Sequence, residues 1–228
     1  MFVRPQVGLA ARALLQRAGV SVDLMASPVR CGWMAFTASN SGRARREMLA
    51  WLEAAEGQGT IVIPSPAVAQ FIRAYATLLF EEEPDLLARV QAVAKRTWEL
   101  FTFLAARNMP PLAPALPGKG VLIPTCPTPV FPHLTEDISA LLTDDARDRL
   151  PFIPSPHCCS WGGAFHLDMP ELSAAMHDTL LDAAAPLAPD YLAVLDVGCQ
   201  IYLEEALDRR GSNLPVYHLA QVLTGEVS

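Results

Sequence analysis

The residues of this chain best suited to chemistry are its five cysteines. Four lie in the second half, where Cys126 is followed by the adjacent pair Cys158-Cys159 and then by Cys199. The fifth, Cys31, stands alone in the first half. The N-terminal residues lack the apolar core of a secretion signal, so we expect a cytoplasmic protein with reduced thiols. Metal or redox chemistry is then favoured over disulfides.

Each cysteine follows a short apolar run that is typical of a buried strand. In open parallel sheets the carboxyl ends of the strands form one edge, where the strand-to-helix loops converge and ligands bind. The cysteines of the second half are therefore predicted to meet in space although they are far apart in the sequence. The predicted strands are residues 20–24, 60–64, 121–124, 150–154 and 191–196.

Helical patterns alternate with these runs. Apolar residues recur at helical spacing in five segments, which are residues 6–18, 42–57, 67–80, 84–106 and 169–185. Strands alternating with helices predict an α/β fold with parallel strands. The Pro-rich segment 108–120 is the best candidate for a connector between a first half, residues 1–107, and a second half, residues 121–228.

The two halves resemble each other. A shift of 128 residues places Arg30 on Cys158, Cys31 on Cys159 and Trp33 on Trp161. Further along, "TIVIPSPAVAQFIRAY" aligns with "YLAVLDVGCQIYLEEAL". This pattern predicts two homologous units related by pseudo-symmetry. The units differ chemically, because the second holds four cysteines and the first holds one.

Composition excludes several classes of function. The hydrophobic fraction of 51% is typical of a globular protein, and the net charge of -7 argues against a nucleic-acid-binding surface. No apolar run reaches the length of a membrane-spanning helix. The chain has no Gly-rich phosphate loop, zinc-protease motif or serine nucleophile elbow, so nothing supports an autonomous hydrolase or dinucleotide enzyme.

The motifs around the cysteines resemble those of a known family. In combination, "CGWMAFTASNSG", "PTCPTP", "CCSWGGAF" and "DVGC" are similar to the cysteine-rich CCG domain. That domain occurs in heterodisulfide reductase, in glycolate oxidase iron–sulfur subunits and in lactate-utilisation iron–sulfur proteins, and the last group is the most similar. The resemblance covers nearly the whole chain. It implies two Rossmann-like α/β halves, of which the first lacks its first strand.

The resemblance also implies a function. The chain would be a non-autonomous electron-transfer subunit of an oxidoreductase complex that oxidises lactate or another 2-hydroxy acid, working beside the other iron–sulfur subunits. One [4Fe–4S] cluster at most would be held by Cys126, Cys158, Cys159 and Cys199. These cysteines would act as ligands and not as catalytic nucleophiles.

Departures from the family pattern leave alternatives open. Arg30 and Val68 replace cysteines in the first half, and the single thiol Cys31 cannot hold a cluster. In the second half Val197 replaces a further cysteine and Ser160 replaces the usual glycine. Four thiolates suit either a cluster or a tetrahedral zinc site. The third alternative is a cofactor-free structural or interaction subunit.

The other residues near the cysteines have simpler interpretations. We expect Cys31 to be a small buried hydrophobe, and Trp33 and Trp161 to pack at their loops. His157 and His166 flank the cysteine pair and are expected to be solvated or hydrogen-bonded, with metal ligation as the alternative. Arg30 carries a fixed charge that would suit a carboxylate or an ion pair across an interface.

Overall fold

The computed structural model describes residues 4–25, 29–123, 130–153 and 158–227. Two residues from the candidate site, Cys126 and His157, lie outside the described residues.

The first half is mainly helical. Its elements are α1 (Pro5–Arg17), α2 (Trp33–Thr37), α3 (Ser41–Ala55), β1 (Ile61–Ile63), α4 (Pro66–Gln70), α5 (Pro84–Lys95), β2 (Thr97–Glu99) and α6 (Leu100–Ala106). Helix α4 continues through a π-helical turn, Phe71–Tyr75, into a 3-10 turn, Ala76–Leu79.

The second half carries the larger sheet. Its elements are β3 (Gly120–Leu122), α7 (Leu134–Ala140), α8 (Asp144–Arg149), α9 (Phe165–Asp168), α10 (Pro170–Ala184), β4 (Tyr191–Val194), α11 (Val197–Arg209), β5 (Val216–His218) and α12 (Leu219–Thr224). A 3-10 turn, Ala185–Leu187, follows α10. No described helix is both long and apolar enough to cross a membrane.

The strands form two parallel sheets. In the first half β1 pairs with β2. In the second half the order is β3-β4-β5, and every pairing is parallel. An isolated parallel bridge from Leu122 to Phe152 adds residues 150–153 beside β3. The predicted α/β fold with short parallel strands and flanking helices is confirmed.

Equivalent strands are followed by helices that begin in the same way. Ser65 accepts a hydrogen bond from Val68 N–H at the start of α4, and Asp196 accepts one from Gly198 N–H at the start of α11. Likewise Glu99 caps α6 after β2, and His218 caps α12 after β5. A polar side chain thus satisfies a free backbone N–H group at the end of each of these four strands.

Two sequence predictions are wrong at the level of elements. The alternation of residues 20–24 predicts a strand, but these residues form no strand in the structure. Alternation alone does not make a strand, because its backbone groups need a neighbour with which to pair. The spacing predicts one helix over residues 84–106, but β2 interrupts it at Thr97–Glu99. Pairing with β1 there overrides the local helical pattern.

The halves share a hydrophobic core. One cluster of buried side chains draws on α1, α6, β3 and α12, and it includes Leu14, Phe101, Leu122 and Leu219. Separate clusters lie between α3 and α5 in the first half and around β4, α10 and α11 in the second. Apolar packing to which both parts of the chain contribute therefore joins them.

Two of the helix caps are buried ionisable groups. Burial raises the pKa of Glu99 to about 8 and lowers the pKa of His218 to about 4. Both side chains are fully buried, and both are consequently neutral near pH 7. The ring of His218 stacks against Phe101 and its Nε2–H donates to the carbonyl oxygen of Leu195 at 3.0 Å.

Substituting Glu99→Gln should change the pH dependence of stability. In the unfolded chain Glu99 releases its proton above its ordinary pKa of 4.5, whereas in the folded protein it keeps the proton up to about pH 8. The free energy of unfolding of the wild-type protein therefore falls as the pH rises through this window. Compared with Glu99→Gln, the wild-type protein should lose about 1.4 kcal/mol of unfolding free energy per pH unit in that window. Urea unfolding at a series of pH values would measure it.

The matched control is Glu82→Gln, because Glu82 is exposed. A pH profile for Glu99→Gln that runs parallel to the profiles of the wild type and of this control would contradict the assignment of Glu99 as a buried neutral acid.

Candidate functional site

The adjacent cysteines lie on the loop that precedes α9. Cys159 is buried, whereas Cys158 is half-buried. The backbone N–H of Ser160 donates to the sulfur of Cys158 at 3.3 Å. Hydrogen bonds of this kind favour the thiolate form of a cysteine, which is the form that binds metals.

The structure joins Cys159 to Cys199 by a disulfide. The two residues are 40 positions apart in the sequence, and their Cα atoms are 5.8 Å apart. The prediction that all five cysteines are reduced thiols is therefore wrong for this pair in the structure. The meeting of Cys159 with the start of α11 is as predicted, because α11 directly follows β4 at the carboxyl edge of the parallel sheet.

Ser160 has a left-handed backbone, with φ of 63°. Its counterpart in the first half is Gly32, with φ of 91°, so both loops turn in the same way. A non-glycine residue is strained in this conformation by about 1–2 kcal/mol. Hydrogen bonds offset the strain, because the Ser160 hydroxyl donates to the carbonyl oxygen of Ser173 at 2.7 Å and Ser173 donates back to the Ser160 carbonyl.

The two equivalent loops touch each other. The backbone N–H of Ala164 donates to the hydroxyl of Thr37 at 3.3 Å. Gly163 lies so close that an added Cβ would approach the same hydroxyl to 2.3 Å. The first-half loop thus supports the loop that carries Cys158 and Cys159.

Trp161 packs over the start of α11. A Cβ atom at Gly198 would lie 2.4 Å from the Trp161 ring, so the indole covers the backbone next to Cys199. The indole also stacks with His166, whose Nδ1 lies 3.2 Å from the Trp161 carbonyl oxygen. His166 is therefore a hydrogen-bonded packing residue in the structure.

A buried hydrogen bond joins the halves behind the cysteines. The hydroxyl of Ser65 donates to one carboxylate oxygen of Asp196, and the other oxygen accepts from Gly198 N–H at 2.8 Å. Asp196 is only 4% exposed, and burial raises the pKa of its carboxyl group. Asp196 in turn begins α11, whose third residue is Cys199, so this contact positions that sulfur.

The equivalent place in the first half is apolar. Cys31 and Val68 both pack against the cluster that contains Phe71. Burial raises the pKa of the Cys31 thiol to about 11, so it is protonated and unreactive at neutral pH. Arg30 is exposed and lies 3.7 Å from a carboxylate oxygen of Glu47, which is a surface ion pair.

The described residues bring together part of the predicted ligand set. Cys159 and Cys199 meet, Cys158 is the next residue along the loop, and Cys126 lies outside the described residues. Among the described residues, no three His, Cys, Asp or Glu side chains are grouped closely enough to hold a metal ion.

Comparison with known proteins shows what the cysteine-bearing part of the chain resembles. Residues 122–204 match the family model described as the CCG cysteine-rich domain. The part of the chain that holds Cys159 and Cys199 is therefore similar to a CCG cysteine-rich domain. Lactate utilization protein A 1 of Bacillus cereus is 29% identical over 219 residues, which are 95% of this chain and 91% of the relative. Lactate utilization protein A of Bacillus thuringiensis is 28% identical with the same coverage. The predicted resemblance is thus confirmed.

Sequence reasoning missed the residues that support the cysteine loop. Ser65 and Asp196 occupy the same position after equivalent strands, and the aligned repeat contained that signal. Ser173 and Tyr202, whose hydroxyl oxygens are 2.5 Å apart, belong to different helices. Nothing in their spacing indicated the contact.

Substituting Ser65→Ala should destabilise the protein by more than the loss of a helix cap. It leaves a buried carboxylate oxygen of Asp196 without its donor, which costs about 1–3 kcal/mol in addition to the cap. Thr143→Ala is the matched control, because Thr143 caps α8 by accepting from Ala146 N–H at 3.2 Å. Chemical unfolding would compare the two, and equal losses would show that the contact between the halves contributes nothing.

Cys31 should resist alkylation in the folded protein. Its pKa rises from 9.0 to about 11, so the thiolate fraction near pH 7.5 falls by about a hundredfold. Mass spectrometry of the Cys31 peptide, after timed iodoacetamide treatment of reduced native and urea-unfolded protein, would measure the ratio of rates. Similar rates in the two states would show that the fold does not raise the pKa of this half-buried thiol.

Proposed function

We propose that this protein is an iron–sulfur electron-transfer component of a cytoplasmic system that oxidises lactate or a similar 2-hydroxy acid, beside partner subunits. The observation that carries the proposal is the meeting of Cys159 and Cys199 at the edge of the sheet within a CCG domain. The names of the relatives support lactate utilisation as the setting.

A single cluster would be held by Cys126, Cys158, Cys159 and Cys199. Iron–sulfur clusters are ligated by cysteine thiolates, normally four for each cluster. The donor set fits that chemistry, because two of the sulfurs converge and a third belongs to the adjacent residue. When bound, such a cluster supplies one-electron transfer.

The protein's own residues would orient the ligands and exclude water. Asp196 anchors the first turn of α11 and thereby sets the position of Cys199. Ser160 and Ser173 hold the turn that follows Cys159. The indole of Trp161 covers the start of α11. The partial positive charge of the helix N-terminus favours an anionic sulfur at Cys199.

The two halves would have different roles. In this proposal residues 121–228 bind the cofactor, residues 1–107 form a structural support, and residues 108–120 connect them. The protonated Cys31 thiol and the apolar Val68 suit a support and not a second cluster.

A second candidate function is a cofactor-free structural subunit of the same system. The Cys159–Cys199 disulfide favours it, because that bond uses both converging sulfurs. A four-cysteine zinc site is the third possibility, with the same ligands in a tetrahedron.

Anaerobic reconstitution distinguishes these candidates. The reduced protein is incubated with ferrous iron and sulfide and then desalted, after which visible absorption, iron, acid-labile sulfide and zinc are measured. The proposal predicts a coloured protein with the iron and sulfide of one cluster. Substituting Cys126, Cys158, Cys159 or Cys199 by serine should abolish or strongly reduce iron retention.

Cys31→Ser is the matched control, and it should retain as much iron as the wild type. A colourless wild-type protein without iron would favour the structural subunit. Stoichiometric zinc without sulfide after expression in zinc-supplemented medium would favour the zinc site.

A further inference from the structure

A groove of about 640 Å³ runs along the edge of β1 that faces away from β2. Residues 60–64 form one wall and residues 20–25 form the other. Apolar side chains line much of it, among them Leu15, Val68 and Phe103. We call this space the β1 groove.

The backbone of β1 has hydrogen-bonding groups that point into the β1 groove. The N–H of Ile61 donates to the carbonyl oxygen of Arg96 at 2.9 Å, on the β2 side. Because successive residues of a strand point their N–H and C=O groups to opposite sides, those of Val62 face the groove. Within the described part of the chain, no residue of segment 20–25 is hydrogen-bonded to Val62.

In the second half, the equivalent space holds a strand. The position that corresponds to Val62 is Ala193, whose carbonyl oxygen accepts from Ile123 N–H, at the end of β3, at 2.8 Å. On its other side β3 bonds to residues 150–153, because Leu122 N–H donates to the Pro151 carbonyl oxygen at 2.9 Å. Strand β3 thus lies between β4 and residues 150–153, as the groove lies between β1 and residues 20–25.

Burial shows the same difference. Ala193 and Val194 in β4 are buried, whereas their equivalents Val62 and Ile63 in β1 are only half-buried. The apolar side chains of β1 match those of a central strand, but they occupy an edge. An exposed strand edge with apolar walls is a template for the addition of another strand.

The charges around the β1 groove select for an acidic occupant. Arg12 and Arg107 line it, both are exposed, and neither is in a salt bridge with any described residue. Among the described residues that line the groove, the only acidic side chain is that of Asp23. A carboxylate at the end of an incoming segment would be attracted to these guanidinium groups.

We propose that the β1 groove binds an extended apolar segment of a partner protein, which adds as a strand parallel to β1 and places an acidic residue beside Arg12 or Arg107. Main-chain hydrogen bonds to Val62 would supply affinity, and the apolar walls would select alternate side chains. The proposal rests on the shape of the first half and is independent of any cofactor in the second.

The test uses a peptide whose sequence follows the strand that fills the equivalent space. A fluorescein-labelled DEGVLI peptide combines the GVLI of residues 120–123 with an acidic start. Its binding to the full chain is measured by fluorescence anisotropy. We expect saturable binding, and no comparable binding of a scrambled peptide. Hydrogen exchange of the Val62 amide should slow in the presence of the peptide.

Val62→Pro removes the N–H that faces the groove and leaves the hydrogen bonds of Ile61 to β2 in place. We expect the variant to remain folded and its affinity for the peptide to fall by about tenfold or more. Val62→Thr is the matched control, because it keeps both the N–H and the β-branched shape, and it should bind like the wild type.

A charge test keeps the proposal falsifiable if Val62→Pro fails to fold. Arg12→Glu combined with Arg107→Glu should weaken DEGVLI binding and leave a neutral-start peptide, GSGVLI, unaffected. Equal binding of DEGVLI and its scrambled form, or unchanged exchange at Val62, would overturn the proposal. Concentration-dependent dimerisation that Val62→Pro abolishes would also overturn it, because the edge would then belong to a second copy of the chain.

Discussion

The hydrogen bond between Ser65 and Asp196 is the contact on which the geometry of the cysteine site depends. Both residues end equivalent strands and begin equivalent helices, so the bond lies between the two halves where their pseudo-symmetric edges meet. Asp196 is almost fully buried, and a carboxylate there is tolerable only because both of its oxygens accept hydrogen bonds. Loss of that pairing would release the first turn of α11 and, with it, Cys199.

The first half supports the second through conformation as well as contact. Gly32 and Ser160 take the same left-handed turn, although only Gly32 does so without strain. In the second half, hydrogen bonds to Ser173 hold the turn, and Thr37 of the first half meets the loop at Gly163. The first-half loop therefore contributes packing to the loop that carries Cys158 and Cys159, and its own Cys31 thiol is kept protonated by burial.

The two halves differ in the size of their sheets and in their cysteines. The second keeps a three-stranded sheet and a converging pair of sulfurs, whereas the described residues of the first keep a two-stranded sheet, an open strand edge and no ligand set. The shared core holds them together through α1 and α12. In these proposals the second half transfers electrons and the first half binds a partner. Variants of one half can therefore test its role without changing the other half.

Local patterns in the sequence were enough to predict the fold class and to place Cys159 and Cys199 at one edge of the sheet, because both depend on local period or on the position of a residue after a strand. They could not locate β2 or exclude a strand at residues 20–24, since pairing partners decide both. Long-range packing alone paired Cys159 with Cys199, joined Ser65 to Asp196 and opened the β1 groove. These features depend on which distant atoms come into contact, and no local pattern encodes that.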